Sequence, residues 1–166
     1  MKALIVYYSR TGVTRTAAER IAQDLRGLGA EAAVEEIVDR KDRSGALGWL
    51  SGGRDAAMKR PADIEPMKAD PAGFDIVVIG TPVWAWTMTP AIRAFCEQKR
   101  DSCAKAAFFC TMGSSGDKGA FKAMTDLCGK EPAATLALCE RHVNKEDPEE
   151  YLAKVAAFAA ALHPKP

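Results

Sequence analysis

Short apolar runs alternate along the chain with segments in which apolar residues recur at helical spacing. The apolar runs predict strands, because a strand buried on both faces needs no polar alternation; they are residues 2–8, 32–38, 75–80, 105–111 and 134–139. The spaced segments predict helices, because apolar residues three or four apart share one face; they are residues 13–27, 47–58, 90–99, 120–127 and 148–162.

The order of these elements predicts the fold class. Strands that alternate with helices of this length form a parallel sheet with helices on both faces, which is a three-layer, doubly wound α/β arrangement. We expect one domain over residues 1–166. Glu35 and Glu36 place the second strand near an edge of the sheet. Ligands of such sheets bind at the carboxyl ends of the strands, where the strand order reverses.

Helix signals mark several boundaries. Thr89 is a candidate N-cap with Pro90 in the first turn, and Asp147 and Pro148 are placed in the same way before the last helix. Gly129 ends the fourth helix.

The segment 39–73 is the least regular part of the chain. Gly52 and Gly53 weaken its predicted helix by roughly 1 kcal/mol each relative to alanine. Two interpretations remain open: the glycines allow close packing against something flat, or the segment is a surface helix in which Trp49 anchors the core. The mixed charges at 39–43 indicate a solvated turn.

Composition narrows the class of protein. The chain has 166 residues, 48% apolar and 27% charged, with a net charge of +1, which predicts a folded domain without electrostatic preference for nucleic acid. No apolar run would span a bilayer, and no small-residue cleavage site follows the short apolar run near the N-terminus. We therefore expect a cytoplasmic protein without a signal peptide or membrane association. The five cysteines are an odd number without Cys-x-x-Cys spacing, which predicts reduced and mostly buried thiols.

The first strand ends in a hydroxyl-rich turn that leads directly into a helix, a place suited to a phosphate. The first N–H groups of a helix have no partner within it, and the helix dipole favours an anion there. Gly12 permits a tight turn, and Ser9, Thr11 and Thr14 each offer a hydroxyl. The alternative is that Thr11 or Thr14 is only an N-cap.

Three loops, after the first, third and fourth strands, have unusual compositions. Residues 8–14 read Tyr-Ser-Arg-Thr-Gly-Val-Thr, residues 80–86 read Gly-Thr-Pro-Val-Trp-Ala-Trp, and residues 111–117 read Thr-Met-Gly-Ser-Ser-Gly-Asp. In this order and spacing the chain resembles the flavodoxin family over nearly its whole length. The resemblance implies a five-stranded flavodoxin-like sheet, bound FMN and a redox function.

The resemblance also implies which residues hold the cofactor, loop by loop. The residues implied to hold the FMN phosphate are Ser9, Arg10, Thr11, Gly12, Val13 and Thr14. Those implied to line the isoalloxazine ring are Thr81, Pro82, Val83, Trp84, Ala85 and Trp86. Those implied to supply the opposing edge are Thr111, Met112, Gly113, Gly116 and Asp117. Either tryptophan offers an offset stack to a flat ring, and core packing is the alternative role for at least one of them.

The chain departs from the family in three respects. Its near-neutral charge differs from the acidic character of short-chain electron carriers, and Met112 and two serines stand where an aromatic residue is common. Ala85 occupies a position that often holds glycine. Without an aromatic residue in that loop, one face of the flavin ring would be open to a substrate or partner.

Other families and sites are disfavoured by the residues. The Gly-x-Gly-x-x-Gly and Gly-x-x-x-x-Gly-Lys-Ser/Thr patterns are absent. A phosphorylation receiver would need acids where the chain has Tyr8 and Ser9 and, after the third strand, Gly80 and Thr81. His142 and His163 are isolated, and the sequence contains no metal-binding cluster.

Three functions follow from this sequence. The first is electron transfer through FMN between redox partner proteins. The second is an NAD(P)H-dependent reductase of small quinones or flavins on the same fold, so whether the protein is an enzyme stays open. The third is a binding module for another phosphate-bearing ligand.

Overall fold

A computed structural model describes residues 1–144 and 148–163. Within them the chain forms one five-stranded parallel sheet and six α-helices. The strands are β1 Lys2–Tyr7, β2 Glu31–Glu36, β3 Ile76–Pro82, β4 Ala106–Met112 and β5 Thr135–Cys139. The helices are α1 Val13–Gly27, α2 Gly45–Ala57, α3 Pro90–Lys99, α4 Asp117–Cys128, α5 Glu140–Val143 and α6 Pro148–Leu162.

The strand order is β2-β1-β3-β4-β5, and every neighbouring pair is parallel. Ile5 of β1 pairs with Val34 on one side and with Val78 on the other, so the strand order reverses beside β1. The predicted fold class is confirmed, and so is the edge position of β2. The carboxyl ends of β1 and β3 thus form the place where sheets of this kind bind ligands.

The core lies on both faces of the sheet. Successive residues of a strand point to opposite faces, so Ile5 joins one apolar cluster with Ile21 of α1 and Phe158 of α6. Leu4 joins the other cluster with Phe95 of α3 and Met124 of α4. A sheet covered on both sides explains why the strands read as continuous apolar runs.

Most predicted boundaries lie within a few residues of the observed ones. α1 and α3 match their predictions, and the Thr89 side chain accepts a hydrogen bond from the Ile92 N–H. α4 begins three residues earlier than predicted, at Asp117 directly after Gly116, and Gly129 ends it in the left-handed region. The predicted cap at Asp147 lies outside the described residues. α5 was not predicted, because one helical turn shows no periodicity.

The segment between β2 and β3 departs most from a regular strand–helix unit. β2 ends at Glu36 rather than at residue 38, and Asp39 forms an antiparallel bridge with Ile64. After α2 the chain therefore runs back in an extended segment, in which Ile64 belongs to the same apolar cluster as residues of α3 and α4. No helix within residues 1–144 and 148–163 combines the length and apolar character needed to cross a membrane.

Candidate cofactor site

The three unusual loops meet at the carboxyl edge of the sheet, and hydrogen bonds join them. The Tyr8 N–H donates to the Gly80 carbonyl at 3.2 Å, and the Val83 N–H donates to the Thr111 carbonyl at 2.8 Å. The hydroxyls of Thr14 and Thr111 lie 2.8 Å apart. Parallel strands bring their carboxyl ends to one edge, so segments distant in sequence form one surface. We call this surface, residues 8–14, 81–87 and 111–117, the three-loop edge.

The first loop enters α1 without a side-chain cap among the described residues. Gly12 is the N-cap residue, with a φ of +92° that an L side chain rarely adopts. The Ser9 hydroxyl accepts from the Gly12 N–H at 3.1 Å, while Arg10 and Thr11 are exposed. The N-cap interpretation of Thr11 and Thr14 is therefore wrong. The start of the helix presents backbone donors and an exposed Thr11 hydroxyl in one place.

Thr14 and Thr111 have a supporting position rather than an exposed one. Both residues are buried, and each hydroxyl has the other as its hydrogen-bond partner. Their bond ties the first turn of α1 to the end of β4. Sequence reasoning placed each residue in its own loop but missed the pair, because the two residues are 97 positions apart and no local pattern shows that they meet.

Thr81 is also turned inward. Its buried hydroxyl donates to the Pro82 carbonyl at 2.9 Å and accepts from the Thr89 N–H at 3.1 Å. It thereby joins the end of β3 to the cap of α3 and fixes both ends of the loop between them.

The loop after β3 closes in a two-residue hairpin turn. The backbones of Trp84 and Thr87 exchange two hydrogen bonds of 3.0 Å, and the central residues Ala85 and Trp86 have φ values of +47° and +59°. This conformation is usual for Asn-Gly and costs energy for other side chains. The sequence Ala-Trp therefore gave no signal for it. Ala85, at the position where the family often has glycine, thus adopts a left-handed conformation without being glycine.

The two tryptophans have different surroundings. Trp84 is half-buried. The Tyr8 ring meets it edge-on, with 5.6 Å between the ring centroids, and the Arg10 guanidinium lies over the Trp84 ring, 5.9 Å from its centroid. Trp86 is 73% exposed. Burial raises the pKa of Tyr8 to about 12, so its phenol stays protonated at neutral pH. The Trp86 ring therefore has a face free for a ligand, whereas much of the Trp84 ring is packed against neighbouring side chains.

α2 contacts Trp84 through a glycine. A Cβ added to Gly52 would lie 2.5 Å from Cζ3 of Trp84, closer than any real side chain allows. The predicted flat neighbour of the glycine-rich helix is thus the Trp84 ring. Trp49 is 59% exposed, so the interpretation that it anchors the core is wrong.

Gly52→Ala is expected to destabilise the fold by roughly 1–3 kcal/mol, because the added methyl displaces Trp84 or α2. Gly53→Ala is the matched control, since apart from the adjacent backbone of α2 no described atom lies within 4 Å of its added Cβ. There the gain in helix propensity should stabilise the protein by up to about 1 kcal/mol. Urea unfolding of both variants measures the difference; equal stabilities would contradict the Trp84 contact.

A buried ion-pair cluster joins the segment that precedes α2 to the last turn of that helix. Arg43 is 5% exposed; its Nε lies 2.9 Å from an Asp39 oxygen and its Nη1 2.7 Å from an Asp55 oxygen. The Arg43 guanidinium lowers the pKa of Asp55 below its ordinary value. The solvated-turn interpretation of residues 39–43 is therefore wrong for Asp39 and Arg43, whereas residues 40–42 between them are exposed. Because Asp55 lies one turn after Gly52, the cluster also holds Gly52 against Trp84.

The third loop packs closely on the second. Gly116 has a φ of +112°, and a Cβ there would lie 2.5 Å from Cγ1 of Val83. A Cβ on Gly119 would lie 2.1 Å from the Trp86 carbonyl oxygen. The absence of side chains at both glycines lets α4 approach the strained hairpin turn and hold it in place. Met112 and Asp117 are half-buried, whereas Gly113 is exposed.

A cleft lies beside the first loop, and sequence reasoning did not anticipate it. Its volume is about 630 Å³, and it is walled by Tyr8–Thr11 on one side and by residues 36–39 and 41–45 on the other. Its second wall includes Asp39, Lys41 and Arg43, so the charges around it are mixed. The first loop thus has open space on the β2 side.

Among solved structures, a flavoprotein from Lactobacillus acidophilus NCFM in complex with FMN is similar to this chain. It has 20% identity and a TM-score of 0.68, over 87% of this chain and 97% of that one. Two-electron reduced flavodoxin from Megasphaera elsdenii has 16% identity and a TM-score of 0.61, over 96% of this chain and 98% of that one. At these identities the likeness shows a shared fold.

A curated relative and a family model complete the comparison. An NAD(P)H dehydrogenase (quinone) from Gluconacetobacter diazotrophicus is 26% identical over 115 residues, which are 69% of this chain and 54% of that protein. The match thus spans about half the length of that relative. The model of the flavodoxin family matches residues 2–155, nearly the whole chain. The chain therefore belongs to the flavodoxin family.

Proposed function

We propose that this chain binds FMN at the three-loop edge and transfers electrons through it. The observation that carries the proposal is the convergence of the three loops, which places an uncapped helix start and an exposed aromatic ring on one surface. FMN needs both, since it joins a phosphate to a flat aromatic ring.

The first loop fits the phosphate. Backbone N–H groups at the start of α1, the Ser9 hydroxyl and the exposed Thr11 hydroxyl are donors without a fixed anionic partner among the described residues. Gly12 leaves open the space that a Cβ would fill, so the backbone can approach a ligand closely. Arg10 adds a positive charge next to these donors. Val13 completes the turn, and Thr14 holds it through Thr111.

The second and third loops fit the ring. Trp86 offers a free face for stacking, and the strained backbone at Ala85 and Trp86 presents polar peptide groups in a fixed direction. Trp84 supports this loop from within, packed against Tyr8 and Gly52. The remaining proposed ring contacts are Pro82, Val83, Met112, Gly113, Gly116 and Asp117.

The protein supplies position and environment, while bound FMN supplies the one- and two-electron redox chemistry. Thr81 fixes the loop after β3, and Gly116 and Gly119 let α4 hold its turn. These contacts keep the ring-binding surface rigid and leave Trp86 at the protein surface, where a redox partner protein can approach.

A second candidate function is NAD(P)H-dependent reduction of a small quinone or flavin. It is favoured by the similarity to the NAD(P)H dehydrogenase (quinone) and by the near-neutral net charge of +1, which gives little electrostatic attraction for a basic partner. The exposed Trp86 surface would admit a small substrate as well as a protein.

Spectroscopy of purified protein tests the proposal. The apo-protein should quench FMN fluorescence at one site per chain, and the complex should be reduced by dithionite and reoxidised by a one-electron acceptor such as cytochrome c. Protein that leaves FMN fluorescence unchanged would contradict both redox functions. NADPH added alone then separates them: direct bleaching of the flavin indicates the reductase, and bleaching that needs an added reductase indicates the carrier.

A further inference from the structure

The outward face of α2 is apolar although it is exposed to solvent. Leu47 is 83% exposed and Leu50 is 58% exposed, and both lie on the side of the helix opposite to the buried Gly48 and Gly52. Met58, at the end of the helix, is also exposed. A surface helix normally turns polar and charged residues outward, and an exposed apolar patch marks a surface that binds another molecule. We call Leu47, Leu50 and Met58 the α2 surface.

The helix that carries the α2 surface packs on the loop proposed to hold the flavin ring. Gly52, on the inner side of the helix, lies against the Trp84 ring. An exposed tryptophan lies near this contact on each element: Trp49 precedes Gly52 by one helical turn, and Trp86 follows Trp84 by two residues. The width of one helix, about 10 Å, thus separates the α2 surface from the proposed flavin site.

Four exposed cations border the last turn of this helix. The Lys41 ammonium lies 3.4 Å from one carboxylate oxygen of Asp55, and the Arg54 guanidinium lies 3.6 Å from the other. The chain then turns back, because the Arg60 N–H donates to the Asp55 carbonyl at 2.9 Å. This turn places Lys59 and Arg60 beside the other two cations, and all four are exposed.

The acids of the same segment do not cancel these cations. Residues 38–60 contain three acids. The side chains of Asp39 and Asp55 are at most 10% exposed and are paired with Arg43, so Asp42 is the exposed acid of the segment. The charge around the α2 surface is therefore positive, although the net charge of the chain is only +1. An acidic partner would be attracted here, whereas a symmetric dimer would bring two sets of cations together.

We propose that the α2 surface docks an acidic redox protein, which exchanges electrons with FMN bound at the three-loop edge. This proposal rests on the proposed FMN function. The apolar residues form the centre of the interface, and the cations form a rim that pairs with carboxylates of the partner. In each encounter the reduced partner loses one electron and the flavin gains it. After two encounters the flavin holds two electrons and has taken up a proton from solvent.

Amide chemical-shift mapping tests the docking without FMN. An acidic [2Fe–2S] ferredoxin, added to ¹⁵N-labelled protein at low salt, should shift or broaden the signals of residues 41–60. Cytochrome c, a basic redox protein, is the control and should leave them unchanged. High salt screens exposed charges, so the effect of the ferredoxin should weaken as salt is added. Docking by protein that does not bind FMN would contradict the proposed function alone, and FMN binding without docking would contradict this proposal alone.

A pair of charge-reversed variants measures the contribution of the rim. Arg60→Glu should weaken ferredoxin binding roughly fivefold, because one attraction becomes a repulsion. Lys105→Glu is the matched control and should change binding little, since Lys105 lies before β4, at the amino ends of the strands. Both residues are exposed and have no ion pair within residues 1–144 and 148–163.

The double variant Leu47→Ser and Leu50→Ser measures the apolar centre. It should weaken ferredoxin binding roughly tenfold or more and leave FMN affinity unchanged, because neither residue belongs to the three-loop edge. The rate at which reduced ferredoxin reduces the FMN-loaded protein should fall in the same two variants, Arg60→Glu and the double variant, and not in Lys105→Glu.

Three results would overturn the proposal. The first is a ferredoxin that leaves residues 41–60 unshifted, or that Arg60→Glu and Lys105→Glu weaken equally. The second is a shift of residues 41–60 that depends on the concentration of this protein alone, which would indicate a second copy as the occupant. The third is binding to vesicles of phosphatidylserine and phosphatidylcholine, lost in the double leucine variant, without docking of the ferredoxin; this would indicate a membrane surface.

Discussion

FMN binding is expected to weaken by roughly 100-fold or more when Ser9 and Thr11 are both replaced by alanine, because a hydrogen bond to a charged group contributes roughly 1.5–3 kcal/mol. Riboflavin lacks the phosphate, so its affinity should stay unchanged. Fluorescence titration with both flavins measures the two effects separately. Thr14 is left in place, because its hydroxyl is bonded to Thr111.

Thr16→Ala is the control for this pair. Thr16 lies in the first turns of α1, but its hydroxyl donates to the Gly12 carbonyl at 3.2 Å rather than being free for a ligand. Its loss should change FMN affinity little. Equal losses of FMN and riboflavin affinity in the double variant would mean that the loop shape was disturbed, and the phosphate assignment would then be wrong.

Arg43→Ala is expected to destabilise the fold by about 3 kcal/mol, because buried Asp39 loses the Arg43 cation and Asp55 keeps only the more exposed Lys41 and Arg54 as ion-pair partners, at 3.4 and 3.6 Å. Arg40→Ala is the matched control. Its guanidinium also pairs with a carboxylate, at 3.4 Å from Asp63, but both side chains are more than half exposed. That variant should lose at most about 1 kcal/mol. Chemical unfolding of both variants at neutral pH measures the contrast.

The stabilisation from the ion pair between Arg43 and Asp55 is expected to depend on pH. Because Arg43 lowers the folded-state pKa of Asp55 below its ordinary value, the ionised carboxylate stabilises the fold at neutral pH. The stabilisation by the carboxylate is complete above the pKa that Asp55 has in the unfolded state. It decreases as the pH falls from that pKa to the lower folded-state pKa. The stability difference between wild type and Arg43→Ala should therefore be constant from pH 7 to 5 and shrink below pH 4. A difference that grew on acidification would contradict the ion-pair assignment.

The architecture could be predicted from the sequence because each strand is buried on both faces and each helix has a distinct apolar face. The edge position of β2 followed from Glu35 and Glu36, which a central strand would not tolerate. The cap of α3 followed from Thr89, since capping depends only on adjacent residues. Such local signals do not depend on distant parts of the chain.

The details of the site depended on contacts that no local pattern encodes. The bond between Thr14 and Thr111 and the ion pair between Arg43 and Asp55 form only after the chain has folded. The left-handed turn at Ala85 and Trp86 is stabilised by its neighbours against its own preference. Residue types could therefore indicate which loops form the site, but not which hydroxyls face the ligand and which support it.

Amide chemical-shift mapping with ¹⁵N-labelled protein tests the central claim most directly, namely that three distant loops bind one flavin together. On addition of FMN, we expect the large amide shifts to fall in residues 8–14, 81–87 and 111–117. The shifts of all three loops should follow the same titration curve and saturate together. Shifts confined to one loop, or centred on the opposite edge of the sheet, would contradict the account.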